Sequence, residues 1–353
     1  ECSHGATLDI SYVGYLSQRV KAASNLHITM VEDAKTLDET VVVGVGYGTM
    51  RKSDLTGSIA SVNAKDMRKG VITSTEQLLQ GKVAGLSVVQ SSGAPEAGAS
   101  LRLRGGTSLS ASNGPLVVVD GIPGVDFNSV QPSEIVSMDI LKDASAAAIY
   151  GSRGANGVII VTTNRHGGEK EQNSVQYNGY VAFASAAKNM DLLSADQWRG
   201  YVRDHHVANA LDYGASTDWQ KELERTAVSH SHNILFSSSR GGHGYRASAT
   251  YTNSQGVIKR NNMNRLAGSL TAYQTAWQGR LRLDEGINAN FDRWHPVDSR
   301  IFERMTNLQP TFPVYNSDGS YAQLNGTNTE NPVELNSNRT DDHKRHRFLG
   351  YLK

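Results

Sequence analysis

Alternation of apolar and polar residues at a period of two governs the second half of this sequence and restricts it to β-structure. Val175, Tyr177, Val181 and Phe183 fall on one face of a strand. Tyr245, Ala247, Ala249 and Tyr251 do the same, with Arg246, Ser248, Thr250 and Thr252 opposite. Leu266, Gly268, Leu270 and Ala272 repeat the pattern, followed by Leu281, Leu283, Ile287, Ala289 and Phe291. Such strands build either a transmembrane barrel, whose apolar face meets lipid, or an amphipathic soluble sheet with the same period. Glu285, on the apolar face, weighs against lipid contact unless it lies near a rim.

Composition excludes other classes. No apolar run approaches the roughly 20 residues that a spanning helix needs, and mean hydropathy is −0.42. Lys and Arg number 35 against 34 Asp and Glu, so the net charge of +1 leaves no basic excess for nucleic acid. The single cysteine, Cys2, forms no intrachain disulfide and reads as a small strand residue. The chain opens on Glu1 and closes on a run, Phe348 to Lys353, that resembles a strand cut short, so a fragment is expected.

The first half has a different grammar. Residues 7–31 alternate as short strands (Leu8, Ile10 and Tyr12, then Leu26, Ile28 and Met30) and end in an acidic connector. Val41-Val42-Val43 then runs into Gly44-Val45-Gly46-Tyr47-Gly48, a glycine density that predicts an extended, flexible segment. From about 53 to 165 the signals are those of a compact α+β unit. Ser74-Thr75-Glu76-Gln77 has capping-box spacing and predicts a short helix. Leu116 to Val119 is an apolar strand closed by the turn residues Asp120 and Gly121. Pro132-Ser133-Glu134 starts another helical piece. Asp143 caps a small-residue helix that ends at Gly151, and Gly157 to Thr163 is a buried strand.

Five motifs in this order resemble SusC-like TonB-dependent outer-membrane transporters. They are Val41 to Thr49, similar to the TonB-box region; Leu79 to Leu86; Leu101-Arg102-Leu103-Arg104-Gly105-Gly106; Pro115 to Gly121; and Leu141 to Ile159, which matches the family's plug signature nearly residue for residue. Trp219 and Gln255 to Ile258 look like early barrel-strand landmarks. Val45-Gly46 is an extra pair relative to the usual box and is expected to shift register.

The resemblance implies the end of a carboxypeptidase-regulatory-like β-sandwich extension at 1–33, a TonB-box linker at 34–49, an α+β plug at 50–166 and the first antiparallel strands of a 22-stranded barrel at 167–353. It implies that Asp38, Glu39, Thr40, Val41, Val42 and Val43 are the handle for TonB, which is energised by ExbB and ExbD. A β-branched extended segment suits that role by adding to another sheet's edge. Arg102, Arg104, Gly105, Asp120, Gly121, Lys142, Asp143, Tyr150, Gly151, Arg153, Gly154, Asn156 and Gly157 carry the plug motif. Arg102 and Arg104, on one strand face, are expected to pair with lumen carboxylates.

The implied activity is import of a large nutrient, an oligosaccharide by default and otherwise a peptide, across the outer membrane of a Bacteroidetes-like Gram-negative cell. Plug and box face the periplasm, and a SusD-like lipoprotein acts as lid. No enzyme activity, cofactor or metal is implied. His230 and His232 share a strand face, and His343 and His346 sit among like charges, a poor metal site. Two alternatives remain: a TonB-linked signalling receptor acting through its extension, and a nucleotide site at Gly44-x-Gly46, which lacks the third small residue of the fingerprint.

Overall fold

A computed structural model describes residues 7–10, 18–21, 42–45, 48–51, 59–68, 70, 72, 74–103, 113–142, 148–163, 172–278, 280–324 and 330–353. Two small hairpins come first. Strand β1 (Thr7–Ile10) pairs antiparallel with β2 (Gln18–Lys21), and β3 (Val42–Val45) with β4 (Gly48–Arg51). The segment expected to be extended and flexible is extended and paired with itself: Val42 pairs with Arg51 and Val45 with Gly48. This pairing also removes the nucleotide reading, because a strand follows the Gly-x-Gly where a dinucleotide site needs a helix N-terminus.

The next unit is a five-stranded sheet in the order β5-β10-β11-β8-β9. Its members are β5 (Ile59–Asn63), β8 (Leu116–Val119), β9 (Ile122–Pro123), β10 (Ile135–Leu141) and β11 (Val158–Thr163). A hairpin of β6 (Leu86–Gln90) and β7 (Ala99–Leu103) stands beside it. Strand β11 is apolar at every position from Val158 to Val161 because both of its faces are covered. Ile159 and Val161 join a core with Met138, Ile140, Leu79 and Leu103. Val158 and Ile160 join a second cluster with Val118 and Leu141, against which Tyr150 packs.

Three helical pieces of this unit are short 3-10 helices: Thr75–Leu79, and the single turns Phe127–Ser129 and Pro132–Glu134. The capping box expected at Ser74 does not form. Ser74 makes no cap bond, and Gln77 Nε2 instead donates to Gln90 Oε1 at 2.6 Å. A further 3-10 stretch, Ala148–Gly154, breaks at Gly151, whose φ is 62°.

Six long strands then form one antiparallel meander: β12 (Gln172–Ala184), β13 (Ala227–Arg240), β14 (His243–Gln255), β15 (Asn262–Ala276), β16 (Leu281–His295) and β17 (His343–Leu352). The alternation predicts their faces correctly. Val175, Phe236, Ala247, Leu270, Ile287 and Gly350 lie in one cross-strand row, and Tyr177, Ile234, Ala249, Gly268, Ala289 and Phe348 in the next. This face is apolar and open: Val175, Phe183 and Phe348 are 72%, 73% and 68% exposed. The opposite face carries Asn178, Asn233, Thr250, Ala267, Asn290 and Arg347 in register and looks toward the five-stranded unit. Glu285 sits half-buried on the outward face, in register with Ala272 and Leu352.

Short turns join β13 to β14 and β15 to β16, whereas the connections 185–226 and 296–342 leave from the other end. The long connections carry helices that the sequence reading missed: α1 (Ala195–Asp204), α2 (Trp219–Leu223), α3 (Arg300–Asn307) and α4 (Pro332–Asn338). The signals were present, a Ser194/Gln197 capping box for α1 and Asn331 followed by Pro332 for α4. Trp219 is therefore no strand landmark. It begins α2 and is buried with Leu223, Ile301, Met305 and Phe312 in a core shared by the loops.

That loop layer is pinned by Asp298, whose carboxylate accepts from Arg300 Nη2 at 2.8 Å, from the Arg300 backbone N–H at 2.9 Å, and from Arg339. The Arg300 hydrogen bonds hold its carboxyl well below the usual carboxylate range. A depressed folded value means that this stabilisation is full above the unfolded value near 4 and fades as pH falls toward the folded one. Asp298→Asn is therefore expected to raise hydrogen exchange across 298–340 at neutral pH, with the gap to wild type closing in strong acid. A gap independent of pH contradicts the assignment.

Candidate functional site

The five-stranded unit touches the inner wall of the meander through a ladder of polar contacts. At its base, the turn Pro132–Glu134 points Glu134 at the wall. Glu134 Oε1 accepts from Ser269 Oγ at 2.8 Å and from Ser248 Oγ, and these two hydroxyls lie 2.7 Å apart. Arg246, only 3% exposed, lies two residues along β14 and interacts electrostatically with Glu134. Next to this, Gln131 Nε2 donates to Asn290 Oδ1 at 3.3 Å, and Asn290 Nδ2 donates to the Ser129 carbonyl at 3.0 Å.

Higher up, Asp126 caps the turn Phe127–Ser129 by accepting from the Asn128 N–H at 2.9 Å. Its other oxygen pairs with Arg347 Nη2 at 2.9 Å. Arg347 also meets Asp292 at 2.9 Å, and Asp292, 2% exposed on its side chain, takes Arg265 at 2.7 Å. At the long-loop end, Asn261 Nδ2 donates to Glu96 Oε2 at 3.1 Å and to the His295 carbonyl at 3.0 Å. Asn128 Nδ2 donates to Glu76 Oε1 at 2.7 Å, and burial pushes the Glu76 carboxyl up.

Arg102 is exposed and has no carboxylate partner among the described residues. Across the described contact the plug-like unit supplies the carboxylates Glu96, Asp126 and Glu134, and the wall supplies Arg246 and Arg347 together with the carboxylate Asp292. A physical signal was available: Arg246 sits among serines and threonines on an inward face, where burial requires a partner.

The motif residues serve the unit's own fold. Asp120, at φ 53°, accepts from the Thr163 N–H at 2.9 Å and Thr163 Oγ1 at 2.5 Å, and Gly121, at φ 87°, completes the turn into β9. Gly157 has φ 88°, and a Cβ there falls 2.3 Å from Leu103 Cδ2 and 3.0 Å from the Leu141 carbonyl. Gly154 is buried, Lys142, Tyr150 and Asn156 are half-buried, and Gly151 and Arg153 are exposed. Asp38, Glu39, Thr40, Val41, Arg104, Gly105 and Asp143 lie outside the described residues; Val42 and Val43 belong to β3. His230 and His232 share the outward face with ring centroids 5.2 Å apart, and Tyr177 Oη is 2.6 Å from His232 Nδ1, an aromatic setting near the loop end of the strands.

Comparison with known proteins agrees with this architecture. The family model for the TonB-dependent Receptor Plug Domain matches residues 51–158. The chain is 37% identical over 343 residues to the TonB-dependent receptor SusC of Bacteroides thetaiotaomicron, covering 91% of this chain and 33% of that protein. It is 33% identical over 353 residues to a TonB-dependent receptor of Formosa agariphila, covering 96% and 34%. Among solved structures, the RagAB peptide importer in its open-open state superposes with a TM-score of 0.70 at 23% identity, covering 83% of this chain and 38% of that one. The unliganded ferric citrate transporter FecA gives 0.50 at 14% identity, covering 72% and 34%. The chain spans about a third of the length of the curated relatives it matches.

A plug sheet seated against the opening strands of an antiparallel barrel defines a TonB-dependent receptor, a class of receptors and transporters rather than enzymes. Within that class the chain belongs to the SusC-like family, whose plug and first barrel strands it carries.

Proposed function

We propose that this chain acts in TonB-dependent import of an oligosaccharide across an outer membrane. The observation that carries the reading is the plug's attachment to the inner wall through hydrogen bonds and ion pairs, at Glu134, Gln131 and Asp126. The outward apolar rows meet outer-membrane lipid, with the short turns and the box on the periplasmic side. The loop layer faces outside, where a SusD-like lipoprotein closes over the cargo.

The boundaries 1–33, 34–49, 50–166 and 167–353 serve as extension, TonB-box linker, plug and first barrel strands. Asp38 to Val43 is the segment that TonB, energised by ExbB and ExbD, captures by strand addition. Arg104, Gly105 and Asp143 complete the plug motif with the glycines already placed. An oligosaccharide is the cargo the family resemblance implies by default, and Ser231, Asn233, Thr250 and Thr252 supply hydroxyl and amide partners for it in a cavity of about 230 Å³ against the plug.

Capture through the backbone makes a specific prediction. A Val41→Pro/Val43→Pro pair removes two N–H donors from the strand and is expected to weaken binding of the TonB periplasmic domain at least about tenfold. The corresponding alanine pair keeps the donors and stays within about threefold of wild type. Calorimetry on the intact receptor measures both. Wild-type affinity in the proline variant defeats strand addition at this segment.

A further inference from the structure

Two cavities adjoin at the loop end of the plug–barrel contact and share Ser74, Met263 and Arg265 in their walls. One is the hydroxyl-lined space of about 230 Å³. The other, of about 410 Å³, is walled by the tip of the β6–β7 hairpin (Pro95 to Gly98) and by charged side chains of β15, β16 and β17.

The charges of the second cavity are unequally engaged. Arg265 and Arg347 are both held by Asp292, and Arg347 by Asp126 as well. Glu96 is occupied by the Asn261 amide. Arg345, in contrast, has its guanidinium over the indole of Trp294, 5.0 Å from the ring centroid, and no carboxylate partner among the described residues. A guanidinium stacked on an aromatic ring is oriented but not neutralised, because its in-plane N–H donors stay available for a planar, bidentate acceptor. A carboxylate is such an acceptor.

We infer that the outer cavity binds the carboxylate of a uronate unit in the cargo through Arg345 positioned on Trp294, while flanking sugar units lie along the hydroxyl-lined cavity. The inference rests on the import reading and narrows its substrate to acidic oligosaccharides. The adjoining cavity offers hydroxyl partners to flanking sugar units at Tyr180, Ser231, Thr250 and Thr252.

The test uses intact receptor purified from the outer membrane and calorimetry with three probes: short oligogalacturonate, oligomannuronate and oligoglucuronate. Each is compared with its methyl-esterified form. At least one acid oligomer is expected to bind, to lose about tenfold in affinity on esterification or in Arg345→Gln, and to recover part of that loss in Arg345→Lys. The ester's affinity is expected to be the same in wild type and Arg345→Gln, which separates loss of the charge contact from a folding defect. Unchanged acid binding in Arg345→Gln, failure of all three acids to bind, or Arg345-dependent binding of an acidic peptide alone each overturns the inference. TonB-dependent uptake of neutral oligomers with no preference for acid overturns the carboxylate site and leaves import intact. Wild-type uptake by the Val41→Pro/Val43→Pro variant overturns import whatever Arg345 does.

Discussion

Glu134→Ala is expected to loosen the plug from the wall by about 2–3 kcal/mol, the range for removing hydrogen bonds to a buried charged group. The substitution takes the acceptor from Ser248 and Ser269 and leaves Arg246, 3% exposed, without the carboxylate it faces. An unpaired buried cation is the costly part, since the lost partner cannot be replaced by bulk water. Glu134→Gln retains an oxygen for the hydroxyls and is expected to fall between wild type and alanine. Two measurements check this: protease cleavage of the plug in the assembled receptor, and entry of vancomycin, which a closed outer membrane excludes. Equal protease resistance and equal vancomycin exclusion in wild type and Glu134→Ala show that the contact at the foot of the ladder does not hold the plug.

Gly157→Val is expected to destabilise the plug by about 3–5 kcal/mol, combining a left-handed backbone for a branched residue with overpacking. Both parts have named causes. The backbone sits at φ 88°, and the added Cβ meets Leu103 Cδ2 at 2.3 Å and the Leu141 carbonyl at 3.0 Å. Leu103 and Leu141 belong to different hydrophobic clusters, so the strain spreads to both faces of the sheet. The predicted result is a plug digested by protease while the heat-modifiable barrel persists. Gly81→Ala is the control for positive φ alone. Gly81 has φ 71° with nothing within 4 Å of an added Cβ, so it is expected to cost only about 1–2 kcal/mol.

The strands of the barrel were legible because a period of two states which residues face out. The rows from Val175 to Gly350 and from Tyr177 to Phe348 follow directly from that alternation. The turn at Asp120-Gly121 was legible for a similar local reason, since positive φ restricts the residues that fit. The ladder was not legible. Glu134 is one acidic residue in a one-turn helix, and its partners lie more than a hundred positions away at Ser248 and Ser269. Nothing local distinguishes it from a solvated glutamate. Arg102 has the same limit, since alternation places its side chain on a face without saying what lies opposite. The pairing of β3 with β4 was not legible because glycine density signals freedom without saying which segments pair.

The order of the plug sheet has a mechanical meaning. In the sequence, β5 is the first strand of the five-stranded sheet, and in space it is an outer strand, paired among the described residues with β10. Strand β11 precedes the barrel in the chain and lies inside the sheet between β10 and β8. Under the proposed pull on residues 38–43, tension would reach the sheet at a strand with one described partner and leave it through a strand with two. On that proposal β5 is the element to yield first, peeling from Ser137 to Leu141 while β11 keeps the remaining sheet moored to the barrel strands. A tether on the periphery and an anchor in the middle let the plug yield in part and then re-form on the template left behind.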